Sequence, residues 1–318
     1  MQDKKISIIV AVKENEKDVE NYVKEIIKIK NEYNFKNLEI IFIDDFSNDS
    51  SWEKIKSVRR EYTDMVKGIK LGRNYGQQQA CYVGMKYVLN SDYVITMDCD
   101  LEDDPNNIPK LINNLNEKKC DCILTITTFK GPIFYRFFSR VFYFIMGTWS
   151  NIKEIKRHTH LRLYSKSCVK SILKLNPSFF HLTHSLSCIN AKFDYLLVEK
   201  FYKERKSSYS INKKIKLAIS NIFDLSNLTT HVLIFLFATI ILITLLYYLY
   251  NIYIYIFFGT LSGFLPLVSI LITNILIGLI SFFYLNYKLN SITNFLYRGI
   301  NKQFFDDYFD IIETIGFN

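Results

Sequence analysis

The chain has 318 residues, 49% of them hydrophobic and 16% aromatic, and its formal net charge is +9. This length has room for one α/β domain of about 200 residues and a further segment. The positive charge suits a protein that lies against an anionic membrane surface. Because no basic face or nucleic-acid-binding module is recognisable, we exclude nucleic acid as a partner. The six cysteines form no CxxC pair, which predicts reduced, packed thiols.

Strand-like and helical segments alternate along the first part of the chain. Runs of β-branched and other apolar residues predict strands at residues 6–12, 38–43, 66–71, 93–97 and 122–127. Helical spacing follows at residues 18–30, 51–62 and 77–89, and after Pro105. This alternation predicts an α/β fold with a doubly wound, mostly parallel sheet. No GxGxxG follows the first strand and no GxxxxGK[ST] occurs, which argues against a dinucleotide dehydrogenase and a P-loop enzyme.

Polar clusters follow the predicted strands at residues 13–16, 44–49, 73–76 and 98–104. In a parallel sheet these positions share one edge, where ligands bind. The last cluster carries five acids: Asp98, Asp100, Glu102, Asp103 and Asp104. Oxygen ligands at this density suit Mg²⁺ or Mn²⁺, and Asp98 and Asp100 could place two oxygens on one ion. The alternative is a solvated acidic turn that caps the next helix.

Two charge-free apolar segments, residues 232–258 and 264–287, lie in the second half of the chain. Each exceeds the roughly 20 residues that a membrane-spanning helix needs. Lys and Arg are frequent before the first segment and after the second but absent from the joining loop, which predicts cytoplasmic termini and a localisation in the cytoplasmic membrane. The sequence thus predicts a two-helix transmembrane hairpin, and a buried core hairpin is the alternative.

The segments around the hairpin have mixed character. Residues 132–149 are aromatic and apolar but contain Arg136 and Arg140, which predicts either an interfacial helix or a core helix. We expect a catalytic domain at residues 1–209, an amphipathic juxtamembrane helix at 210–228, the hairpin at 229–287 and a cytoplasmic tail at 288–318. In the tail, helical spacing is seen for Phe304, Phe305, Tyr308, Ile311 and Ile312.

Six motifs along the chain resemble those of one enzyme family. They are SIIVAVKENE (7–16), IFIDDFSNDS (41–50), LGRNYGQQQACYVGM (71–85), VITMDCDLEDDPNNIPKLI (94–112), HLRLYSKSCV (160–169) and KSSYSINKKIKLA (206–218). In this order, and followed by the hairpin, they resemble the family 2 polyprenyl-phosphate glycosyltransferases of the GT-A fold. Ala11 stands where the family usually has Pro, and Ser208 stands where it has Lys.

The resemblance implies roles for individual residues. Asp44 and Asp45 would hold the base and ribose of a nucleotide diphosphate sugar, with Glu14, Arg73 and Asn74 beside them. Asp98 would face the nucleotide and the sugar, and the ligands implied for Mg²⁺ or Mn²⁺ are Asp98, Asp100 and Glu102. Arg162 would contact a phosphate, and the acceptor phosphate would meet Lys203 and Arg205. The two His pairs receive no role from the resemblance; they are His158 with His160, and His181 with His184.

The resemblance also implies the reaction. A sugar, from a UDP-sugar by preference, would pass with inversion to a polyprenyl phosphate such as undecaprenyl phosphate at the cytoplasmic face of the membrane. That acceptor is already anionic and needs no strong general base. One alternative is a glycolipid or glycan hydroxyl acceptor, with Asp103 or Asp104 as the base. Another is an inactive nucleotide-sugar-binding scaffold. Some family members are tetramers, so a homo-oligomer is one option.

Overall fold

A computed structural model describes residues 3–127, 144, 158–175, 185–186, 189–198, 228–259, 270–271, 273–278, 280–285, 287–289 and 309–317. The chain forms two compact units. The first consists of Met1–Gly147, Ile152–Ser210 and Asn301–Asn318, and the second of Thr148–Asn151 and Ile211–Ile300. Several predictions lie outside the described residues: the juxtamembrane helix at 210–228, most of the aromatic segment 132–149, and Lys203, Arg205, His181 and His184.

An eight-stranded sheet organises the first unit. Its strands are β1 (Ile6–Val12), β2 (Leu38–Asp44), β3 (Val66–Leu71), β4 (Tyr93–Asp98), β5 (Cys122–Ile126), β6 (His158–Ser165), β7 (Phe193–Leu197) and β8 (Ile311–Ile315). Their order is β7-β5-β6-β4-β1-β2-β3-β8. β6 runs antiparallel to β4 and β5, and β8 runs antiparallel to β3. The other described pairings are parallel, so the predicted mostly parallel α/β sheet is confirmed.

Helices cover both faces of this sheet. They are α1 (Val19–Glu32), α2 (Ser51–Glu61), α3 (Gln77–Lys86), α4 (Asn107–Lys118) and α5 (Lys166–Ile172). One core cluster joins α1, α2 and α4 to alternate residues of the strands, and a second joins α3 and α5 to the opposite face. The central strands β1 and β2 read as continuous apolar runs because both faces are covered. The helices predicted at residues 18–30, 51–62 and 77–89 and after Pro105 agree with α1 to α4 except near their ends.

Three strands have no counterpart among the predicted elements. β6 lies between β4 and β5, β7 pairs with the outer side of β5, and β8 forms the opposite edge of the sheet. The helical spacing read in the tail does not extend to Ile311 and Ile312, because both residues lie in β8. Within this strand Ile311, Glu313 and Ile315 are half-buried and alternate with exposed residues, which is the period of a strand.

Close packing of α3 on β1 predicts a measurable effect at Gly84. A Cβ atom at this position would lie 2.5 Å from Cγ2 of Ile9, a fully buried residue in the central strand. Gly84→Ala is therefore expected to lower the free energy of unfolding by about 1–3 kcal/mol, the usual range for an overpacked core. Urea unfolding followed by circular dichroism would measure the change. Unaltered stability would contradict this prediction and would mean that Ile9 and α3 move apart without strain.

The second unit contains helix α6, Leu228–Phe258, which covers the first predicted apolar segment. Ile240, Ile243, Thr244, Tyr247, Ile270 and Thr273 line a cavity of about 330 Å³ in this unit. When only the described residues are considered, no helix is both long and apolar enough to be identified as a membrane span. The transmembrane hairpin therefore stays a prediction.

Candidate active site

The candidate site lies where the parallel strands β1, β2, β3 and β4 end. Val12 pairs with Asp44, and Ala11 pairs with Asp98, so the two acidic motifs flank the end of β1. Three non-glycine residues in the loops that follow have positive φ angles: 55° at Glu14, 61° at Phe46 and 57° at Leu101. Such conformations are uncommon for these residue types and concentrate at functional sites.

Hydrogen bonds join the loops that follow β1 and β2. The backbone N–H of Glu14 donates to Oγ of Ser47 at 3.1 Å, and that of Asn15 donates to Oγ of Ser51 at 2.9 Å. Lys13 donates through Nζ to the carbonyl oxygen of Phe46. The predicted donor-binding residue Glu14 is exposed at this junction.

Asp45 holds the loop between β3 and α3. Its Oδ1 accepts from the backbone N–H of Tyr75 at 2.7 Å, and its Oδ2 accepts from that of Gly76 at 2.8 Å. Burial raises the pKa of this carboxyl, although both hydrogen bonds act in the opposite direction. In this arrangement both carboxylate oxygens bind the loop, which gives Asp45 a positioning role for its predicted neighbours Arg73 and Asn74.

The neighbouring Asp44 is fully buried at the end of β2. Its Oδ1 accepts from the backbone N–H of Ser47 at 3.3 Å. Its Oδ2 is buried and has no hydrogen-bond partner among the described residues. Burial raises the pKa of this carboxyl above its ordinary value. A buried carboxylate oxygen without a donor is unusual in a folded protein, and a ligand donor would satisfy it.

Arg73 and Asn74 are exposed in the loop that Asp45 holds. The guanidinium carbon of Arg73 lies 4.6 Å from the centroid of the Tyr75 ring, a cation–π distance. The predicted donor-binding residues Asp44, Asp45, Arg73 and Asn74 therefore lie at the end of β2 and in the two loops that follow β2 and β3. Tyr75, which sequence reasoning did not select, connects them through its backbone N–H.

The acidic motif begins at the last residue of β4. Oδ1 of Asp98 accepts a hydrogen bond from Nε2 of Gln77 in the first turn of α3. Oδ1 of Asp100 accepts from the backbone N–H of Glu102 at 3.1 Å, across the positive-φ residue Leu101. No group of three or more His, Cys, Asp or Glu side chains within the described ranges is arranged to hold a metal ion. The half-buried carboxylates of Asp98 and Asp100 nevertheless have the oxygen chemistry that Mg²⁺ and Mn²⁺ prefer.

The last two acids of the motif are engaged in local structure. Asp103 is 1% exposed, and its Oδ2 accepts from the backbone N–H of Leu161 in β6 at 3.1 Å. Oδ1 of Asp104 accepts from the backbone N–H of Asn106 at 2.9 Å, just before α4. Asp103 therefore fastens the acidic loop to β6, and Asp104 orders the start of α4. These contacts are those of structural residues.

Arg162 lies in β6, opposite Thr96 of β4. The side chain is 4% exposed, and Nε donates to the carbonyl oxygen of Thr159 at 3.1 Å. Nη1 is buried and has no hydrogen-bond partner among the described residues. Oδ2 of Asp44 shares this lack of a partner within the described ranges. A guanidinium is a suitable group for binding a phosphate. The structure thus brings Arg162 beside the strand that ends in Asp98.

A buried thiol lies close to these groups. Burial raises the pKa of Cys81 in α3 to about 12, and the charges of Asp98, Arg162 and Asp45 also act on it. The thiol therefore stays protonated at neutral pH and is not an activated nucleophile. The cysteines within the described residues are all free and buried, as predicted: Cys81, Cys99, Cys120, Cys122 and Cys168.

Comparison with known proteins identifies similar chains. Residues 7–173 match the family described as "Glycosyl transferase family 2". The undecaprenyl-phosphate 4-deoxy-4-formamido-L-arabinose transferase of Shewanella sediminis is 31% identical over 140 residues, which cover 44% of this chain and 42% of that relative. The protein of the same name from Salmonella paratyphi B is 40% identical over 79 residues, 25% of this chain and 24% of the relative. The matched regions therefore span less than half of these relatives.

A solved structure supports the fold. Glucosyl-3-phosphoglycerate synthase from Mycobacterium tuberculosis, in complex with phosphoglyceric acid, superposes with a TM-score of 0.50 over 70% of this chain and 78% of that one. Its sequence is only 12% identical, so the likeness concerns the fold alone. The match at residues 7–173 covers more than half of the chain and includes Asp44, Asp45, Asp98 and Arg162. This chain belongs to glycosyl transferase family 2.

Proposed function

We propose that the protein transfers a sugar from a nucleotide diphosphate sugar, a UDP-sugar by preference, to a polyprenyl phosphate such as undecaprenyl phosphate. Family membership supports glycosyl transfer. The names of the Shewanella and Salmonella relatives support undecaprenyl phosphate as the acceptor. The donor half of the proposal rests on one observation at the sheet edge where ligands bind: within the described part of the chain, Oδ2 of Asp44 has no hydrogen-bond partner.

The donor would bind across the loops that follow β2, β3 and β4. Oδ2 of Asp44 would accept a hydrogen bond from an N–H of the base or from a ribose hydroxyl. Arg73 and Asn74 would contact the nucleotide from the loop that Asp45 holds. The cationic Arg162, with Nη1 unpartnered among the described residues, would contact a phosphate. Asp98 would face the sugar, with its carboxylate oriented by Gln77.

A divalent cation fits this site although the described residues offer only a partial ligand set. Mg²⁺ is usually held by one or two carboxylates together with substrate phosphates and water, not by a complete protein cage. Asp98 and Asp100 would supply the carboxylates, and Glu102, two residues after Asp100, would be a third ligand. When bound, Mg²⁺ or Mn²⁺ would offset the charge that grows on the departing nucleoside diphosphate.

The protein would need to bind and orient the acceptor phosphate but not to deprotonate it. A phosphate monoester is anionic at neutral pH and can attack the anomeric carbon without a strong general base. One such displacement inverts the configuration at that carbon. Lys203 and Arg205 remain our proposed contacts for the acceptor phosphate. A hydroxyl acceptor is less well supported, because Asp103 is buried against β6 and Asp104 is bonded to Asn106.

A lipid acceptor calls for a membrane location, which is part of the proposal. Residues 232–258 and 264–287 would form the transmembrane hairpin, with both termini on the cytoplasmic side. The absence of charge from both segments supports this assignment. So does the exposure of large apolar side chains on α6, such as Ile243 at 66% and Ile256 at 67%.

A transfer assay with chelation tests the proposal. The full chain in detergent would receive undecaprenyl phosphate, Mn²⁺ and a panel of UDP- and GDP-sugars, and lipid-extractable sugar would be measured. We expect product from one donor, a loss of at least about a hundredfold with EDTA, and recovery with excess Mn²⁺ or Mg²⁺. Donor hydrolysis without lipid product would contradict the proposed acceptor. Turnover that persists in EDTA would contradict the proposed metal.

A further inference from the structure

The C-terminal segment, residues 309–317, contacts the loop that joins β3 to α3, residues 72–76, hereafter the β3–α3 loop. The backbone N–H of Gly72 donates to the carbonyl oxygen of Asp310 at 2.6 Å. The backbone N–H of Asp310 donates to the hydroxyl oxygen of Tyr75 at 2.7 Å. A Cβ atom at position 72 would lie 2.0 Å from Oδ2 of Asp310. Glycine at this position therefore permits the close approach of the C-terminal segment.

Aromatic packing strengthens this contact. Phe309 is 1% exposed, and its ring centroid lies 5.0 Å from that of Tyr75 and 6.3 Å from that of Tyr82 in α3. The guanidinium carbon of Arg73 lies 4.6 Å from the centroid of the same Tyr75 ring. Tyr75 therefore connects the C-terminal segment, through its hydroxyl and its ring, to a side chain that we propose for donor binding.

The other side of the loop is attached to the site. Asp45 accepts the backbone N–H groups of Tyr75 and Gly76. The next residue, Gln77, donates to the carboxylate of Asp98. The β3–α3 loop is consequently held between two acidic residues of the candidate site and the C-terminal segment.

We propose that the C-terminal segment positions the β3–α3 loop for nucleotide-sugar binding, and that Tyr75 is the positioning residue through which it acts. The identity of the ligand rests on the proposed function. Without the segment, the loop would keep the hydrogen bonds to Asp45 but lose those to Asp310 and the packing of Phe309. Arg73 would then become ordered only when the nucleotide binds, and the entropic cost of this ordering would weaken the affinity for the nucleotide. The segment follows the predicted hairpin in sequence, so the donor loop depends on chain from beyond that hairpin.

Two variants and a matched control separate positioning from general stability. Tyr75→Phe removes the hydroxyl that accepts from Asp310 but keeps the ring. Phe309→Ala removes the aromatic contact. The control is Phe317→Ala at the opposite end of β8, where the Phe317 ring packs 4.8 Å from Tyr87 and below Nζ of Lys67. All three changes affect the attachment of the same strand, but only the first two touch the loop.

Hydrogen exchange and nucleotide binding are the readouts. In the protein without ligand, we expect faster exchange at the backbone amides of positions 75 and 76 in Tyr75→Phe and Phe309→Ala. Binding of UDP and GDP with Mn²⁺, measured by calorimetry, should weaken about fivefold in Tyr75→Phe, as for the loss of one neutral hydrogen bond, and further in Phe309→Ala. The KM for the lipid acceptor should not change. Phe317→Ala should bind nucleotide as the wild type does even if its Tm falls.

Wild-type nucleotide affinity in Tyr75→Phe and Phe309→Ala would overturn the inference. Equal weakening in Phe317→Ala would also overturn it, since the effect would then come from the stability of β8. If Phe309→Ala does not fold, Tyr75→Phe decides. A wild-type protein that binds neither UDP nor GDP would contradict the proposed function instead. In that case, hydrogen exchange at positions 75 and 76 that is the same in both variants as in the wild type would still refute positioning of the loop by the C-terminal segment.

Discussion

The substitution Asp98→Asn is expected to lower kcat/KM for sugar transfer by about two to three orders of magnitude, as the loss of a group that stabilises transition-state charge does in other enzymes. Asp98→Asn keeps the shape of the side chain and an oxygen that can accept from Nε2 of Gln77. It removes the negative charge on which binding of the proposed cation depends. Steady-state transfer at several Mn²⁺ concentrations would measure the loss.

The opposite end of the same strand provides the control. Asp92 directly precedes β4, and its Oδ2 accepts from the backbone N–H of Lys5 at 2.9 Å while Oδ1 pairs with Nζ of Lys4 at 3.2 Å. Asp92→Asn makes the same chemical change far from the proposed ligands and should retain wild-type kcat/KM. Comparable losses in both variants, or full activity in Asp98→Asn, would show that the charge of Asp98 is not used in transfer.

Substitution of Asp45 is expected to lower stability, whereas substitution of the adjacent Asp44 is not. Asp45→Asn places an NH₂ group against a backbone N–H of Tyr75 or Gly76 and loses a hydrogen bond to a charged acceptor. We expect the free energy of unfolding to fall by about 2–3 kcal/mol. Asp44→Asn keeps an oxygen that accepts from the backbone N–H of Ser47. It removes a buried negative charge from a carboxylate whose Oδ2 has no partner among the described residues. Its stability should equal or exceed that of the wild type.

Both substitutions should weaken the binding of UDP or GDP, for different reasons. Asp44→Asn removes the acceptor proposed for the nucleotide, whereas Asp45→Asn loosens the loop that carries Arg73. Urea unfolding and calorimetric titration on the same samples would separate the two effects. If Asp44 is kept for ligand binding at a cost in stability, Asp44→Asn should be at least as stable as the wild type and should bind nucleotide more weakly. Unaltered nucleotide binding in a stable Asp44→Asn protein would therefore contradict the role proposed for Asp44.

The pH dependence of stability gives an independent check on Asp44. Burial raises the pKa of this carboxyl in the folded protein above its ordinary value of about 3.9. At pH values between the pKa of the unfolded state and the higher pKa of the folded state, the folded protein binds more protons than the unfolded one. The contribution of Asp44 to stability therefore falls as pH rises through that interval. The advantage of Asp44→Asn should be greatest at neutral pH and should shrink on acidification toward pH 4. A difference that is independent of pH would contradict the assignment.

Much of the first unit could be predicted from local patterns. β1 to β5 and α1 to α4 occupy the positions that apolar periodicity and turn residues indicate, because each element buries its own apolar face against one sheet. The grouping of Asp44, Asp45, Arg73, Asn74 and Asp98 at one edge followed from the parallel order of the strands, since parallel strands end together.

Pairing with distant strands decided the remaining elements. β6 and β8 pair antiparallel with strands that are distant in the sequence. A short apolar run does not by itself distinguish a strand from a helix, so only this pairing identified them as strands. Arg162 could be named from a family motif, but its burial beside Thr96 follows from the pairing of β6 with β4. Gln77 and Tyr75 lie in the family motif at residues 71–85, but their roles could not be predicted from it, because their partners Asp98 and Asp310 lie far away in the sequence.

The amino-acid sequence by itself therefore determined the layered α/β architecture, the edge at which the acidic residues gather and the two charge-free segments near the C-terminus. Only the tertiary structure distinguished Asp44, with its unpartnered oxygen among the described residues, from Asp45, whose carboxylate holds the β3–α3 loop. It alone placed β8 and Phe309 against that loop. The physical reason is that periodicity records which face of an element is buried, whereas hydrogen-bond partners depend on which distant segments meet.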